Sequence, residues 1–383
     1  MPGLRAPALL DTGEIPVSVF KFFLGTQTGE LGHRLNMRPI GAVGRLAACC
    51  LPARGTAVTA ALIAPVIPTG AGPVGLVPEY GRVNTTQAEK VRTGRGFFAA
   101  LDQSGGSTPK ALAEYGIGRD RYSSDAEMFD LVHAMRTRVL TSPAFDGSRV
   151  LAAILFEQTM ERDVNGVPTA RYLWDEKNVV PFLKVDKGLA SEQDGVQLMK
   201  PIDTLDDLLE RAQRHQIFGT KMRSVINDAD QAGISAIVDQ QFDYASRILA
   251  AGLVPIIEPE VSISSPYKER AETLLRDAIA KHVDALPEGA TVMLKVTIPT
   301  RPGLYGDLAS DPRVLRVVAL SGGYSRDEAC ALLARDHTLI ASFSRALLEG
   351  LTENQTDEQF NAQLDSSIEQ ICRASVHKQP TSP

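Results

Sequence analysis

The chain has 383 residues, 44% apolar and 22% charged, which is material for one large domain plus an extension or for two domains, and excludes a chain dominated by disorder. A net charge of −6 excludes the basic excess of a general nucleic-acid binder. Four scattered cysteines offer no disulfide framework or zinc spacing, and six histidines never fall three or four residues apart, so neither a metal nor another cofactor is expected.

Residues 1–84 read as an extension rich in Ala, Gly and Pro, poor in acids, with arginines at Arg5, Arg34, Arg38, Arg45, Arg54 and Arg82. That bias fits an organelle transit peptide; the competing readings are a disordered extension or upstream sequence translated from a misplaced start. The uncharged run "GTAVTAALIAPVIPTGAGPVGLVP" is long enough to span a bilayer, but its internal prolines and glycines oppose a continuous helix. No membrane or nucleic-acid partner is expected, and a homo-oligomer is left open. The location expected is the cytoplasm, or a plastid or mitochondrion if residues 1–84 are a transit peptide.

From residue 85 to 378 short apolar runs alternate with helix-like stretches. The runs are "GFFAALDQ", "RVLAAILFE", "VVPFLKVDKG", "FGTKMR", "GLVPIIEPE", "TVMLKVTI", "VLRVVALSGG" and "HTLIASFS". Between them stand segments such as "DDLLERAQRH", "FDYASRILAAG", "ERAETLLRDAIAKHV" and "RDEACALLARD". Eight such repeats predict a (β/α)8 TIM barrel over 85–378, with 379–383 as a flexible tail. An open doubly wound sheet is the alternative; the count and the lack of a GxGxxG turn after an early strand weigh against it.

Polar residues crowd the C-terminal ends of the runs, where barrel enzymes carry their catalytic groups. They are Asp102, Glu157, Lys184 with Asp186, Lys221 with Arg223, Glu258 with Glu260, Lys295, Ser321, and Ser342 with Ser344 and Arg345. In "MLKVTIP", Val292, Leu294, Val296 and Ile298 share one face, and Met293, Lys295 and Thr297 the other. A lysine there must be paired, solvated by a cavity, or neutral and reactive. On one strand a structural salt bridge explains the charge; charges on so many consecutive strands favour a functional cluster. Three inward lysines beside carboxylates suit amine chemistry, in which a lysine attacks a carbonyl and carboxylates move the protons.

Two loops look built for phosphate. "LSGGYS" places Ser321, Gly322 and Gly323 after the seventh strand, and "SFSRAL" places Arg345 after the eighth. "DQSGGSTPK" after the first strand is a second Gly/Ser loop, which also reads as a turn with a helix cap at Ser107 or Thr108 and Pro109 at N1.

Together "GFFAALDQSGGSTPKALAEYGI", "VVPFLKVDKGLA", "IFGTKMRS", "GLVPIIEPEV", "VMLKVTIPT", "VVALSGGYSR" and "IASFSRAL" resemble the class I fructose-bisphosphate aldolases, most closely their compact bacterial-type branch. The resemblance implies a metal-independent cleavage of fructose 1,6-bisphosphate to dihydroxyacetone phosphate and glyceraldehyde 3-phosphate, a reaction of glycolysis and gluconeogenesis. It assigns the Schiff-base nucleophile to Lys295, proton transfer to Glu258, the neighbouring activating cation to Lys221, support of the charge network to Glu260, and the C4 hydroxyl to Asp102. It places Arg345, Ser321 and Gly322 at the C1 phosphate, with Gly323 and Ser344 in the same loops. Lys184, Ser104 and Ser107 fall at the C6 phosphate, and Arg223 lines the site. The chain departs from the animal-type pattern in having no C-terminal tyrosine after Tyr324, Ser344 in place of glycine, and Gln103 in place of glutamate. Two alternatives stand beside this reading: a Schiff-base aldolase for another bisphosphate such as sedoheptulose 1,7-bisphosphate, and a retired barrel that only binds phosphorylated sugars.

Overall fold

The computed structural model describes residues 83–104 and 106–380. The extension read over residues 1–84, with its transit-peptide and bilayer-length readings, lies outside them except for Val83 and Asn84, and the tail read over 379–383 lies outside them beyond residue 380.

Eight strands follow in chain order: β1 (Phe97–Leu101), β2 (Val150–Leu155), β3 (Val180–Lys184), β4 (Gly219–Ile226), β5 (Val254–Val261), β6 (Val292–Thr297), β7 (Val314–Leu320) and β8 (Ile340–Phe343). Each pairs in parallel with the next, and β8 returns to β1 through Phe98 opposite Ser342 and Ala99 opposite Phe343. This last pairing closes the barrel and removes the open-sheet alternative. The principal helices are α1 (Thr85–Thr93), α2 (Thr108–Glu114), α3 (Asp125–Thr141), α4 (Leu205–Arg214), α5 (Gln231–Ala250), α6 (Lys268–Asp284), α7 (Arg326–Leu333) and α8 (Asp357–Val376). No helix among the described residues is long and apolar enough to cross a membrane.

Period-two alternation divides the strands between two cores. Ala99, Leu101, Leu183, Met222, Ile257, Leu294 and Val296 pack outward into the layer shared with the helices. Phe98, Ala152, Ile154, Phe182, Ile256, Met293 and Val318 fill the barrel interior. Phe182 is the hub of that interior, with ring centroids 5.6 Å from Phe98 and 5.3 Å from Phe218, contacts worth about 0.5–1.5 kcal/mol each beyond their burial. The buried Val91 of α1 joins the same cluster from the N-terminal side. The apolar plug leaves the polar ends of the strands to line the C-terminal mouth.

Several features depart from the simple alternation. After β2 the chain makes a small antiparallel hairpin, Asp163–Val164 with Val167–Pro168, around Asn165 at φ 52° and Gly166 at φ 75°. The Asn-Gly pair is the usual residue choice for such a turn, so this element had a local signal. A strand at Val196–Gln197 pairs antiparallel with the end of β4, Val196 opposite Ile226. Ser107 stands at the cap position of α2, but its side chain does not cap the helix; its hydroxyl accepts the Ser104 N–H at 3.1 Å and folds the loop back on itself. Glu157, counted among the strand-end charges, pairs with Lys187 at 2.8 Å and Arg211 at 2.5 Å, so its charge belongs to a structural ion cluster.

Candidate active site

A cavity of about 770 Å³ opens at the C-terminal mouth, lined by Asp102, Ser104, Ser107, Lys184, Lys221, Arg223, Glu258, Glu260, Lys295, Ser321, Gly322, Ser344 and Arg345. The structure thus brings together the residues singled out in the sequence except Gly323, which lines the adjoining cavity with Arg345, and Glu157, which is not part of the lining. Register does this. Lys221 and Arg223 stand two apart on β4, Glu258 and Glu260 two apart on β5, and Lys295 lies on β6 between the inward-facing Met293 and Thr297.

Lys221, Glu258 and Lys295 are each 3% exposed, a degree of burial that charged groups tolerate only when paired. Lys295 Nζ lies 2.9 Å from Glu258 Oε1, and Lys221 Nζ lies 2.8 Å from Glu258 Oε2 and 2.7 Å from Asp102 Oδ2. One carboxylate therefore bridges two lysines, and one of those lysines bridges two carboxylates. The Glu258 backbone N–H donates to Gln241 Oε1 at 2.8 Å, which anchors this strand position to α5. On the neighbouring side Lys184 donates to Asp186 Oδ1 at 2.5 Å and to the Asp186 carbonyl at 2.9 Å. Asp186 Oδ2 in turn accepts the Arg223 N–H at 3.2 Å, and the Arg223 guanidinium pairs with Glu260.

The electrostatics follow from these contacts. Burial pushes Asp102 up, but Lys221, Lys295 and Lys184 outweigh it and hold the carboxyl well below the usual range. Burial pushes Lys221 down, but Asp102, Glu258 and Asp186 outweigh it and hold the ammonium above the ordinary lysine value. Lys184 moves the other way: burial lowers it, Asp186 restores only part, and Lys221 adds repulsion. A depressed carboxyl contributes stability above its unfolded pKa of about 4 that is lost in acid; a raised lysine contributes stability below about 10.4 that is lost in strong alkali. The Asp102–Lys221 pair is therefore a constant contribution from about pH 5 to 9.

Replacing Lys221 by methionine strands two buried carboxylates, Asp102 without a partner and Glu258 with Lys295 alone. The expected loss is about 3–5 kcal/mol, read as a fall in the urea midpoint, with partial recovery in the K221M/D102N double variant. An unchanged midpoint would contradict the pairing.

The seventh-strand loop is shaped for close approach. Gly322 has φ +63°, and a Cβ there would come within 2.7 Å of Ile263; Gly323 has φ +119° and lies under the Arg345 guanidinium. A side chain at Gly322 would strain the backbone and collide with Ile263, so glycine is required at this edge of the cavity.

Asp186 and Ser342, which the sequence reading named among the strand-end polar residues without giving them a role, and Arg136, which it did not name, complete the site. Asp186 holds both Lys184 and the β4 backbone, and its spacing from Lys184 in "KVDK" was the available signal. Ser342 faces the cavity from β8, with its hydroxyl unpartnered among the described residues. Arg136, which hydrogen-bonds Gln103 behind the site, is 1% exposed. Its signal was an arginine on the buried stripe of α3 with Met128, Val132 and Val139. Among the described residues no group of three His, Cys, Asp or Glu side chains is placed to hold a metal ion.

Known proteins can now be set beside this geometry. The family "Glycolytic: Fructose-bisphosphate aldolase class-I" matches residues 83–298, more than half of the chain. The "Fructose-bisphosphate aldolase class 1" of Synechocystis sp. is 61% identical over 293 residues, covering 76% of this chain and 98% of that protein. A crystal structure of fructose-bisphosphate aldolase from Plasmodium falciparum, 21% identical, superposes with a TM-score of 0.60 over 78% of this chain and 95% of that one, a likeness of fold. A lysine-and-carboxylate cluster in the mouth of a closed barrel, carried on a sequence with that degree of identity, places the chain in the class I fructose-bisphosphate aldolase family.

Proposed function

We propose that the chain cleaves fructose 1,6-bisphosphate reversibly and without a metal, through a Schiff base on Lys295. The observation that supports this most is the row formed by Lys295, Glu258 and Lys221 at 2.9 and 2.8 Å, in which amine, proton carrier and fixed cation are already in contact. In this reading the neutral Lys295 amine attacks the C2 carbonyl carbon. Glu258, having taken the proton that frees the amine, gives it to the carbonyl oxygen as the carbinolamine forms; it then takes the proton on nitrogen and passes it to the hydroxyl, which leaves as water and forms the iminium. The C3–C4 bond breaks as the C4 hydroxyl gives up its proton, and the bonding pair flows to the iminium nitrogen to form the enamine. Glyceraldehyde 3-phosphate leaves. Protonation at C3 and addition of water then release dihydroxyacetone phosphate and free Lys295.

Asp102 is assigned to the C4 hydroxyl. Because Lys221 holds its carboxyl so low, Asp102 serves first to orient and polarise that hydroxyl, and it accepts the proton only as the bond breaks. Lys221 stays a fixed cation beside the reacting amine. Arg345, Ser321, Gly322, Gly323 and Ser344 are assigned to the C1 phosphate; Lys184, Ser104 and Ser107 to the C6 phosphate; Arg223 and Glu260 support the wall between them.

Incubation with dihydroxyacetone phosphate or fructose 1,6-bisphosphate, reduction with borohydride and peptide mapping by mass spectrometry should place one adduct on Lys295, with full activity in EDTA. An adduct on Lys221 or Lys184, or activity abolished by EDTA, would sink the assignment. Relative kcat/KM for fructose 1,6-bisphosphate and sedoheptulose 1,7-bisphosphate decides between the two substrates.

A further inference from the structure

Arg136 on α3 is buried among apolar neighbours, and no carboxylate pairs with it among the described residues. Its guanidinium donates to Thr159 Oγ1 at 2.7 Å, to the Gln103 carbonyl at 2.6 Å and to Gln103 Oε1 at 3.1 Å. Burial draws its pKa down to about 10, with Asp102 opposing the fall, so it remains a cation at neutral pH. A buried cation held by neutral partners is costly, which asks what it does there.

Hydrogen-bond polarity supplies the answer. Arginine only donates, so the Gln103 side-chain oxygen must face it and the amide nitrogen must face away. That nitrogen donates to Ser344 Oγ at 2.7 Å. Ser344 thus spends a lone pair on Gln103, and no acceptor among the described residues takes its hydroxyl proton. The same hydroxyl borders the cavity next to Arg345.

We infer that Arg136 and Gln103 are positioning residues that commit the Ser344 hydroxyl to donate to the substrate phosphate beside Arg345. A bare serine rotor would be free to point its proton elsewhere; here a donor-only residue two hydrogen bonds away sets the direction. The inference rests on the proposed reading that the Ser321–Arg345 end of the cavity holds a phosphate.

The test is a double-mutant cycle read in kcat and KM for fructose 1-phosphate, which carries only the C1 phosphate. S344A should raise KM about tenfold, with kcat within about twofold, the size of a lost hydrogen bond to an anion. Q103E presents a carboxylate that pairs with Arg136 and accepts the Ser344 proton, turning it from the substrate. KM should rise at least as far, and adding S344A in that background should change it by less than about twofold. An S344A effect of equal size in both backgrounds overturns the inference. So does an S344A variant with normal KM while R345A raises it, which leaves the phosphate reading intact; normal KM in both S344A and R345A removes that reading as well. Thermal melts establish that each variant folds. If Q103E does not, R136M frees the Gln103 amide to turn over, and the S344A effect in that background should shrink to below about threefold; persistence of the full tenfold effect overturns the inference.

Discussion

Lys295→Met should lower kcat for cleavage by at least about 10⁴-fold and abolish borohydride-dependent labelling, while the urea midpoint stays near that of the parent. The reason for the intact fold lies in the ion network. Glu258 keeps Lys221 at 2.8 Å when Lys295 is removed, so no carboxylate is left bare, and a methionine joins the interior beside Met293 and Val318. The variant therefore separates the two readings that a lysine on an inner strand face allows. A purely structural lysine, deleted, would cost stability and spare chemistry on another group; the nucleophile, deleted, spares stability and ends the chemistry. Lys295→Arg sharpens the contrast, because a guanidinium keeps the charge beside Glu258 but does not become a neutral nucleophile at accessible pH. Residual labelling in Lys295→Met would move the nucleophile to Lys221 or Lys184.

The inner face carrying Lys295 was legible because strands impose a period of two, and every residue on β6 obeys it. The barrel was legible for a similar reason, since apolar runs followed by amphipathic stretches recur and each pairs with the next in space. What escaped were contacts across the fold. Gln103 and Ser344, separated by 241 positions, read as two unrelated departures from the animal-type pattern; the structure joins them by a 2.7 Å hydrogen bond. Arg136 escaped because an arginine on an apolar helix stripe is ordinarily explained by its stem covering apolar surface. Glu157 erred in the opposite direction: it stands two residues past β2, where position alone does not tell a residue facing the cavity from one facing Arg211. Of the two cap positions read, Ser107 or Thr108, the first holds the place but makes no capping hydrogen bond, because serine can equally serve a loop N–H, and here Ser104 claims it.

Glu258→Gln should lower kcat by about 10²–10⁴-fold, with the loss appearing first in the rate at which the Lys295 adduct forms. The substitution keeps the shape of the side chain and its place between two lysines, so the change is in proton carriage and charge. Glutamine cannot take the proton from the attacking amine or return it to the departing hydroxyl, and both carbinolamine formation and dehydration stall. Rapid-quench borohydride trapping measures that stage directly. Exchange of the dihydroxyacetone phosphate C3 proton with solvent measures the next, the return of a proton to the enamine. Glu258 lies 2.9 Å from the nitrogen that holds the enamine and is the carboxylate paired with Lys295 among the described residues, so the same group is positioned to serve both stages. Exchange per adduct should then fall along with adduct formation. Adduct formation at the parental rate would remove Glu258 from the dehydration step. Slowed formation with normal exchange per adduct would keep it there and pass the enamine proton to Asp102 or to water, which fits a cluster whose second carboxylate is tied to the same Lys221 at 2.7 Å.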